Sequence, residues 1–279
     1  MSRRVAPSGA MRFWRRDALP FLELRESRAG EGIGYARHSH DSFSIGAVTG
    51  GRSLYEYQVP GDSLQAVPVT RGAVVIMNPR EIHACNPTDG APWSYYMLHV
   101  DPVWLSPLQG AGSAREFRPL ALHATRDVTL YAALIRLCQR LLDDHATAAE
   151  KTLVCRDFFR GLFAHSRTRQ HQCHREGARL ARTAELIRLR CAEPLTLAWL
   201  AERSAMTPSH LVRVFKREYG ITPHAFLLDC RIRRAREALS AGRPIAEVAH
   251  DWHFADQAHF QRIFKRFTAT TPNRFRRAS

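Results

Sequence analysis

Three histidines hold the residue types and spacing most open to chemistry. His38 and His40 flank Ser39, and His83 closes the stretch Asn78-Pro79-Arg80-Glu81-Ile82-His83. Alternate residues of an extended chain share a face, so the imidazoles of His38 and His40 can point into one space. Imidazoles so placed suit three uses: polar contacts to an organic effector, structural hydrogen bonds inside a core, or coordination of an ion such as zinc. The organic pocket is the first expectation, the structural role the second and metal the third, so no cofactor is expected. A second cluster, His171-x-Cys173-His174, also has ligand types, but in a polar stretch such side chains are expected to be solvated. The six cysteines (85, 138, 155, 173, 191 and 230) include no CxxC pair, a pattern of reduced thiols rather than of a disulfide framework.

Another kind of chemistry is written twice near the C-terminus. VFKREYG at 214–220 and IFKRFTA at 263–269 stand 49 positions apart, and Thr-Pro follows each, at Thr222-Pro223 and Thr271-Pro272. Before the first copy, Ala201, Ala205, Leu211 and Val214 have the small and apolar character that two steeply crossing short helices need. Thr196 and Thr207 are the expected N-caps, with Pro208 at the favoured first position. The outer face of the second helix then shows Ser209, Val212, Arg213, Lys216 and Arg217, a candidate reading edge for the major groove. The second copy runs through Ile245, Val248 and Ala249, turns at His253-Phe254 and takes Asp256 as N-cap. It shows Gln257, His259, Gln261, Arg262, Lys265 and Arg266 around Phe260, Ile263 and Phe264. Between the copies, 225–239 reads as one helix, roughly 20–25 Å long. A connector of that length can hold two readers about one turn of B-DNA apart, roughly 34 Å.

Charge agrees with this division. The formal net charge is +15; residues 181–279 hold 18 Lys+Arg against 9 Asp+Glu, a net of +9, whereas 17–165 hold 14 against 16, a net of −2. A basic C-terminal third beside a nearly neutral body points to a polyanionic partner.

The elements that must position the histidines come earlier. Residues 33–105 alternate or cluster apolar residues between turn signals at Gly50-Gly51, Pro60-Gly61-Asp62, Asn78-Pro79 and Asp89-Gly90, as antiparallel strands of a sandwich or barrel do. Leu130, Leu134, Leu137, Leu141, Leu153, Phe158 and Leu162 then fall at helical intervals. Residues 166–180 read as a basic linker, and helices interrupted by Pro and Gly follow from 181. Residues 1–10 are expected to be frayed, with Met11 a possible start. No apolar run reaches the length of a membrane span, so a cytoplasmic protein without a membrane partner is expected.

The stretch LAERSAMTPSHLVRVFKREYGITPHAFLLDCRIRRAREAL, with IAEVAHDWHFADQAHFQRIFKRFTATTPNRFR after it, resembles the DNA-binding domain of the AraC/XylS family of bacterial transcription regulators over about 195–276. The second copy departs twice, with His253 and Ala269 where that family has Gly; a non-Gly residue at positive φ costs about 1 kcal/mol. His38-Ser39-His40 and 78–83 resemble the family's sensor domain, a cupin-like β-barrel. The resemblance implies an α+β chain of two domains: an effector-sensing and dimerising barrel with flanking helices at 11–165, the linker at 166–180, and a double helix-turn-helix domain at 181–279. It implies that His38, His40, Glu81, His83, Tyr95 and Met97 line the effector site, and that the partners are operator DNA, a small-molecule effector, RNA polymerase and a second copy of the chain. The 130–162 stripe can be core or partner-facing; in this family such helices commonly mediate dimerisation, so a homodimer is its first expected use.

An enzymatic alternative is a metal-dependent cupin fused to a DNA-binding module, since cupin enzymes hold metal with His-x-His and a distant His. Such enzymes add a Glu shortly after the second His, and here the stretch is Asp41-Ser42-Phe43-Ser44-Ile45. A regulator without catalytic residues is the expectation.

Overall fold

The computed structural model describes residues 11–30, 34–88, 92–110, 116–168, 175–268 and 270–277; His171, Cys173, His174 and Ala269 lie outside them, as do residues 1–10. Eight strands come first: β1 (Met11–Trp14), β2 (Leu22–Gly30), β3 (Phe43–Gly50), β4 (Arg52–Gln58), β5 (Gln65–Thr70), β6 (Val74–Met77), β7 (Ile82–Pro87) and β8 (Trp93–Val100). With the short β9 (Ala124–Thr125) they form a six-stranded sheet ordered β1-β2-β8-β3-β6-β9 and a three-stranded sheet ordered β5-β4-β7. The β region therefore starts well before residue 33. Glu23, Arg25 and their neighbours in β2 put charge inside the strand, which hides it from an apolar-alternation reading.

Period two decides the layers. Trp93, Tyr95 and Met97 of β8 face the three-stranded sheet and pack with Val48, Val75, Met77, Tyr55, Val69 and Cys85. Leu98 and Val100 face the other way, against helices α2 (Val128–Leu142) and α3 (Ala148–Ala164). Asp127 caps α2, and Thr147 with Glu150 forms a capping box on α3. Leu134, Leu137, Leu141 and Leu162 are buried with Phe159 against the sheet and Leu130 and Phe158 are partly buried there, so most of the stripe read from 130–162 serves the core rather than the dimer first expected of it. Of its members, Leu153 stands exposed. A one-turn helix α1 (Pro102–Leu105) links the sheet to this layer.

Seven helices follow: α4 (Arg175–Leu189), α5 (Leu197–Arg203), α6 (Pro208–Tyr219), α7 (Pro223–Ser240), α8 (Ile245–Asp251), α9 (Gln257–Thr268) and α10 (Pro272–Arg277). Helix α4 starts inside the stretch read as linker, and its Leu180 is buried with Ala184 and Ile187 against α6 and α7. The helical domain thus begins before residue 181. Among the described residues no helix is long and apolar enough to cross a membrane.

The two helix-turn-helix units repeat in backbone as well as sequence. In each turn the residue at φ 52° is not glycine: Ala205 in the first and His253 in the second. Each is followed by an amide that reaches back five residues, Met206 to Ala201 and Phe254 to Ala249, both at 3.0 Å. That six-to-one bond closes a helix end in the Schellman manner. Thr196, Thr207 and Asp256 accept the capping amides expected of them. One side of α7 packs Phe226, Leu227 and Cys230 into the first unit; another packs Ile232, Ala235 and Leu239 into the second. Arg231 on α7 donates to the carbonyls of Cys191, Glu193 and His253 at 2.9, 2.9 and 3.2 Å. At 18 residues, α7 is about 27 Å long.

The barrel grips this domain through the segment 36–41. Ala36 N–H donates to Arg266 C=O at the end of α9 (2.9 Å), and Arg37 Nη1 donates to Gly220 C=O at the end of α6 (3.3 Å). Ser39 donates both its N–H (3.1 Å) and its hydroxyl (2.6 Å) to Asp229, which is 1% exposed in the middle of α7. Asp41 pairs with Arg233. Gly220 needs its left-handed conformation to end α6, and Gln58 of the barrel stands 3.1 Å from where its Cβ would be.

Replacing Asp229 with Ala leaves two buried Ser39 donors without an acceptor. A loss of about 1–3 kcal/mol of unfolding free energy is expected in urea titration. Arg234→Ala, which breaks an exposed pair with Glu237, is expected to cost less than about 0.5 kcal/mol.

Candidate functional site

The chain has two sets of side chains with functional geometry, one on the helical domain and one inside the barrel. On α6, Ser209, Arg213, Lys216 and Arg217 are exposed and Val212 is half-buried, while Leu211, Val214 and Phe215 turn inward. On α9, Gln257, Gln261, Arg262, Lys265 and Arg266 are exposed above Phe260 and Phe264. The amphipathic pattern that fills the core leaves the basic edge outside. Two predicted residues are otherwise engaged. Arg217 pairs with Glu176 of α4 at 2.5 Å, so its charge is partly answered within the protein. His259 is half-buried: its ring packs 5.8 Å from Phe254, and Nδ1 accepts the Ala255 amide at 3.3 Å, which makes it part of the N-terminal turn of α9. Arg213 stays on the outer face, within 3.1 Å of His210.

Inside the barrel the predicted histidines meet. His38 forms an isolated bridge to His83 at the start of β7 rather than lying in a longer strand. Its ring lies 4.8 Å from His40 and 4.7 Å from His83, and His40 lies 5.0 Å from His83. His38 Nδ1 donates to Ala36 C=O at 2.7 Å and His83 Nδ1 to Glu81 C=O at 2.9 Å. These bonds leave the Nε2 lone pair of each ring free. His40 Nδ1 is buried with no hydrogen-bond partner among the described residues. The coordinating nitrogens of the three rings all lie within 4.8 Å of one another.

Tyr95 and Met97 reach the same cavity, as expected, with Tyr95 OH 3.0 Å from Tyr35 OH. Glu81 does not. Its carboxylate accepts from Asn78 (2.9 Å) and His123 (3.0 Å), outside the cavity lining, because the turn at 78–81 folds it back. Of the cavity-lining residues that the sequence reading missed, His99 is the one with a further imidazole. It follows Tyr95 and Met97 on the same face of β8, its ring is 4.7 Å from His40, and its Nδ1 meets the Ser44 hydroxyl at 2.8 Å. Extending the period-two count by one more step finds it.

Burial pushes His38 down to about 4 and His83 to about 3, and it holds His40 and His99 well below the ordinary imidazole value. The neighbouring rings and Arg236 add to this at His40, and Arg25 does at His99. All four rings are neutral near pH 7. The cavity between them measures about 40 Å³, whereas pockets for organic ligands run to roughly 300–1,000 Å³. As the side chains stand, this space is smaller than an organic effector of ordinary size, the first expectation, fills. Two open clefts of about 950 and 840 Å³ lie where the barrel meets α7, lined in part by Arg15, Arg16, Asp41 and Arg236.

Comparisons with known proteins match this architecture. Residues 23–155 match the model of the AraC-like ligand binding domain, and residues 200–278 match that of a helix-turn-helix domain. The chain is 26% identical over 232 residues to the uncharacterized HTH-type transcriptional regulator YbfI of Bacillus subtilis, covering 81% of each chain. It is 37% identical over 81 residues to the arabinose operon regulatory protein of Escherichia coli, covering 29% of this chain and 28% of that protein. A crystal structure of ToxT from Vibrio cholerae superposes with a TM-score of 0.57 at 10% identity, covering 92% of this chain and 98% of that one.

For the reading edge the expected outcome is a split between two kinds of residue. Arg213→Ala and Arg262→Ala should each cost about 1–3 kcal/mol on the preferred duplex and relax base choice at one position per half-site. Lys216→Ala and Lys265→Ala should weaken binding to all duplexes alike and flatten the log K against log salt slope by about 0.9 each. Binding titrations at several salt concentrations on matched and base-substituted duplexes measure both.

Proposed function

The chain belongs to the AraC family of transcriptional regulators, with a ligand-binding domain followed by a helix-turn-helix DNA-binding domain, and from that premise we propose how it reads and controls DNA. Helices α6 and α9 enter successive major grooves on one face of the duplex, with Arg213 and Arg262 reading guanine edges and Lys216 and Lys265 touching phosphate. What supports this is the matched pair of exposed basic edges on α6 and α9, either side of one continuous helix, α7, of about 27 Å; a spacing of about one turn of DNA is part of the proposal.

The barrel is the sensor, and the segment 36–41 is its output. An effector that moves His38 or His40 moves residues hydrogen-bonded to α6, α7 and α9 at once. The regulator works in the cytoplasm as a homodimer and meets RNA polymerase at the promoter; Leu153, exposed beside the buried face of α3, is a first point at which to test the dimer. The chain is not an enzyme on this reading. Support for this comes from the likeness to a transcriptional regulator over 81% of the chain.

The test is selection of bound sequences from a random duplex pool with the full chain. Two conserved base clusters centred about one helical turn apart are expected, with affinity at least about a thousandfold above that for random duplex. Recovery of one cluster alone, or of none, overturns the two-reader arrangement.

A further inference from the structure

We infer that the ligand sensed by the barrel is a divalent transition-metal ion, held by the imidazoles of His38, His40 and His83, and that its binding sets the grip of segment 36–41 on the DNA-reading helices. The inference rests on the regulatory reading above and names the effector class for it.

Size gives the first reason. A space of about 40 Å³ holds an ion with a few small co-ligands, since one water needs only about 10–15 Å³ by the same measure. Ligand geometry gives the second. Nitrogens bound to one tetrahedral zinc at about 2.0–2.1 Å stand about 3.4 Å apart. The three rings, already within 4.8 Å, need no more than about 1.4 Å of closure. The third reason is orientation from behind the ligands. His38 and His83 each spend Nδ1–H on a backbone carbonyl, which fixes the tautomer that presents Nε2. His40 has a buried nitrogen with no hydrogen-bond partner among the described residues, an arrangement that costs free energy until something binds it.

Arg25 also lines this cavity and opposes a bare cation. It is paired with Glu23 at 2.5 Å, and its Nη2 is buried without a hydrogen-bond partner among the described residues. A hydroxide or small oxyanion bound with the ion would offset that charge, and Arg25 would be the donor to hold it. Imidazole ligands suit zinc, copper, nickel and iron.

The route to DNA is short. Ser39 stands between two of the ligands and makes both hydrogen bonds to Asp229 of α7. His38 Nδ1 is tied to Ala36, whose amide holds the end of α9. Closing the rings on an ion therefore displaces the residues that seat the connector and one reader.

The experiment uses the full chain stripped with a chelator and a duplex obtained by the selection described above. Zinc(II) is titrated in competition with a chromophoric chelator, and cobalt(II) is added to read coordination from its visible bands. One ion per chain and the bands of a nitrogen-rich tetrahedral site are expected. His38→Ala and His83→Ala should each lower zinc affinity by about a hundredfold or more. The cobalt spectrum of the unmodified chain stands even where a histidine variant does not fold. Zinc should change duplex affinity at least about tenfold in the unmodified chain, a coupling of ordinary allosteric size. Ser39→Ala should keep the ion and lose that change. No binding, or binding unaffected by both histidine changes in folded protein, overturns the metal site, while the DNA selection still judges the two-reader arrangement separately. One ion per chain with unchanged duplex affinity overturns the sensing role of the barrel and leaves the ion site standing.

Discussion

Two hydrogen bonds from Ser39 to a carboxylate buried in the middle of α7 are the most deeply buried polar link between the halves of this chain among the described residues. Burial alone raises the pKa of Asp229 and disfavours its charge; the Ser39 donors and Arg233, whose Nε lies 3.6 Å away, act in the opposite direction. Losing a donor to a buried carboxylate of this kind costs free energy, because each missing donor leaves a desolvated acceptor behind. Its position therefore favours one seat of the barrel segment 36–41 on α7 over others. The histidines at 38 and 40, the bond from Ala36 to α9 and the bond from Arg37 to α6 all inherit that seat.

The helical domain was legible in the sequence because its function and its fold write the same signal. Phe215 and Phe264 must face inward for the helices to pack, and the residues beside them must face outward to reach DNA; one amphipathic repeat reports both. Caps at Thr196, Thr207 and Asp256 depend on a single side chain each and were equally plain. The exceptions involve partners distant in sequence. Arg217 carries the right charge at the right spacing, yet Glu176, 41 residues earlier, answers it. The start of α4 was hidden for a similar reason: its apolar content is low, and only packing against α6 and α7 explains why Leu180 is buried.

The barrel was legible in outline and less so in its interior. Alternation placed Tyr95 and Met97 on the cavity side, and the same rule reaches His99. Cavity volume has no counterpart in spacing. Whether three imidazoles surround an organic molecule or an ion depends on how closely Trp93, Tyr35 and Met97 crowd them, and that is a sum over strands far apart in the chain. Glu81 shows the limit from the other side. Its proximity to His83 in sequence suggested a shared site, but one turn at 78–81 sends its carboxylate to Asn78 and His123 instead.

The barrel's contacts with the readers fall at their C-terminal ends, on the carbonyls of Arg217 and Gly220 in α6 and of Arg266 in α9. Base-reading residues in helix-turn-helix units lie toward the N-terminal part of the recognition helix. Arg213 and Arg262, the proposed base readers, lie N-terminal to these gripped last turns, while Lys216, Arg217 and Lys265 sit on the gripped turns themselves with their side chains exposed. A helix of 12 residues is a stiff lever over its length of about 18 Å, so a small displacement at the gripped end reorients the reading end without unfolding anything. The strained turns at Ala205 and His253 are stiff too, since Schellman bonds close both and Arg231 anchors the second to α7. The compliance needed for switching must then lie in the barrel segment itself. It has no ladder of strand pairing beyond the single His38–His83 bridge, and it carries two of the three imidazoles.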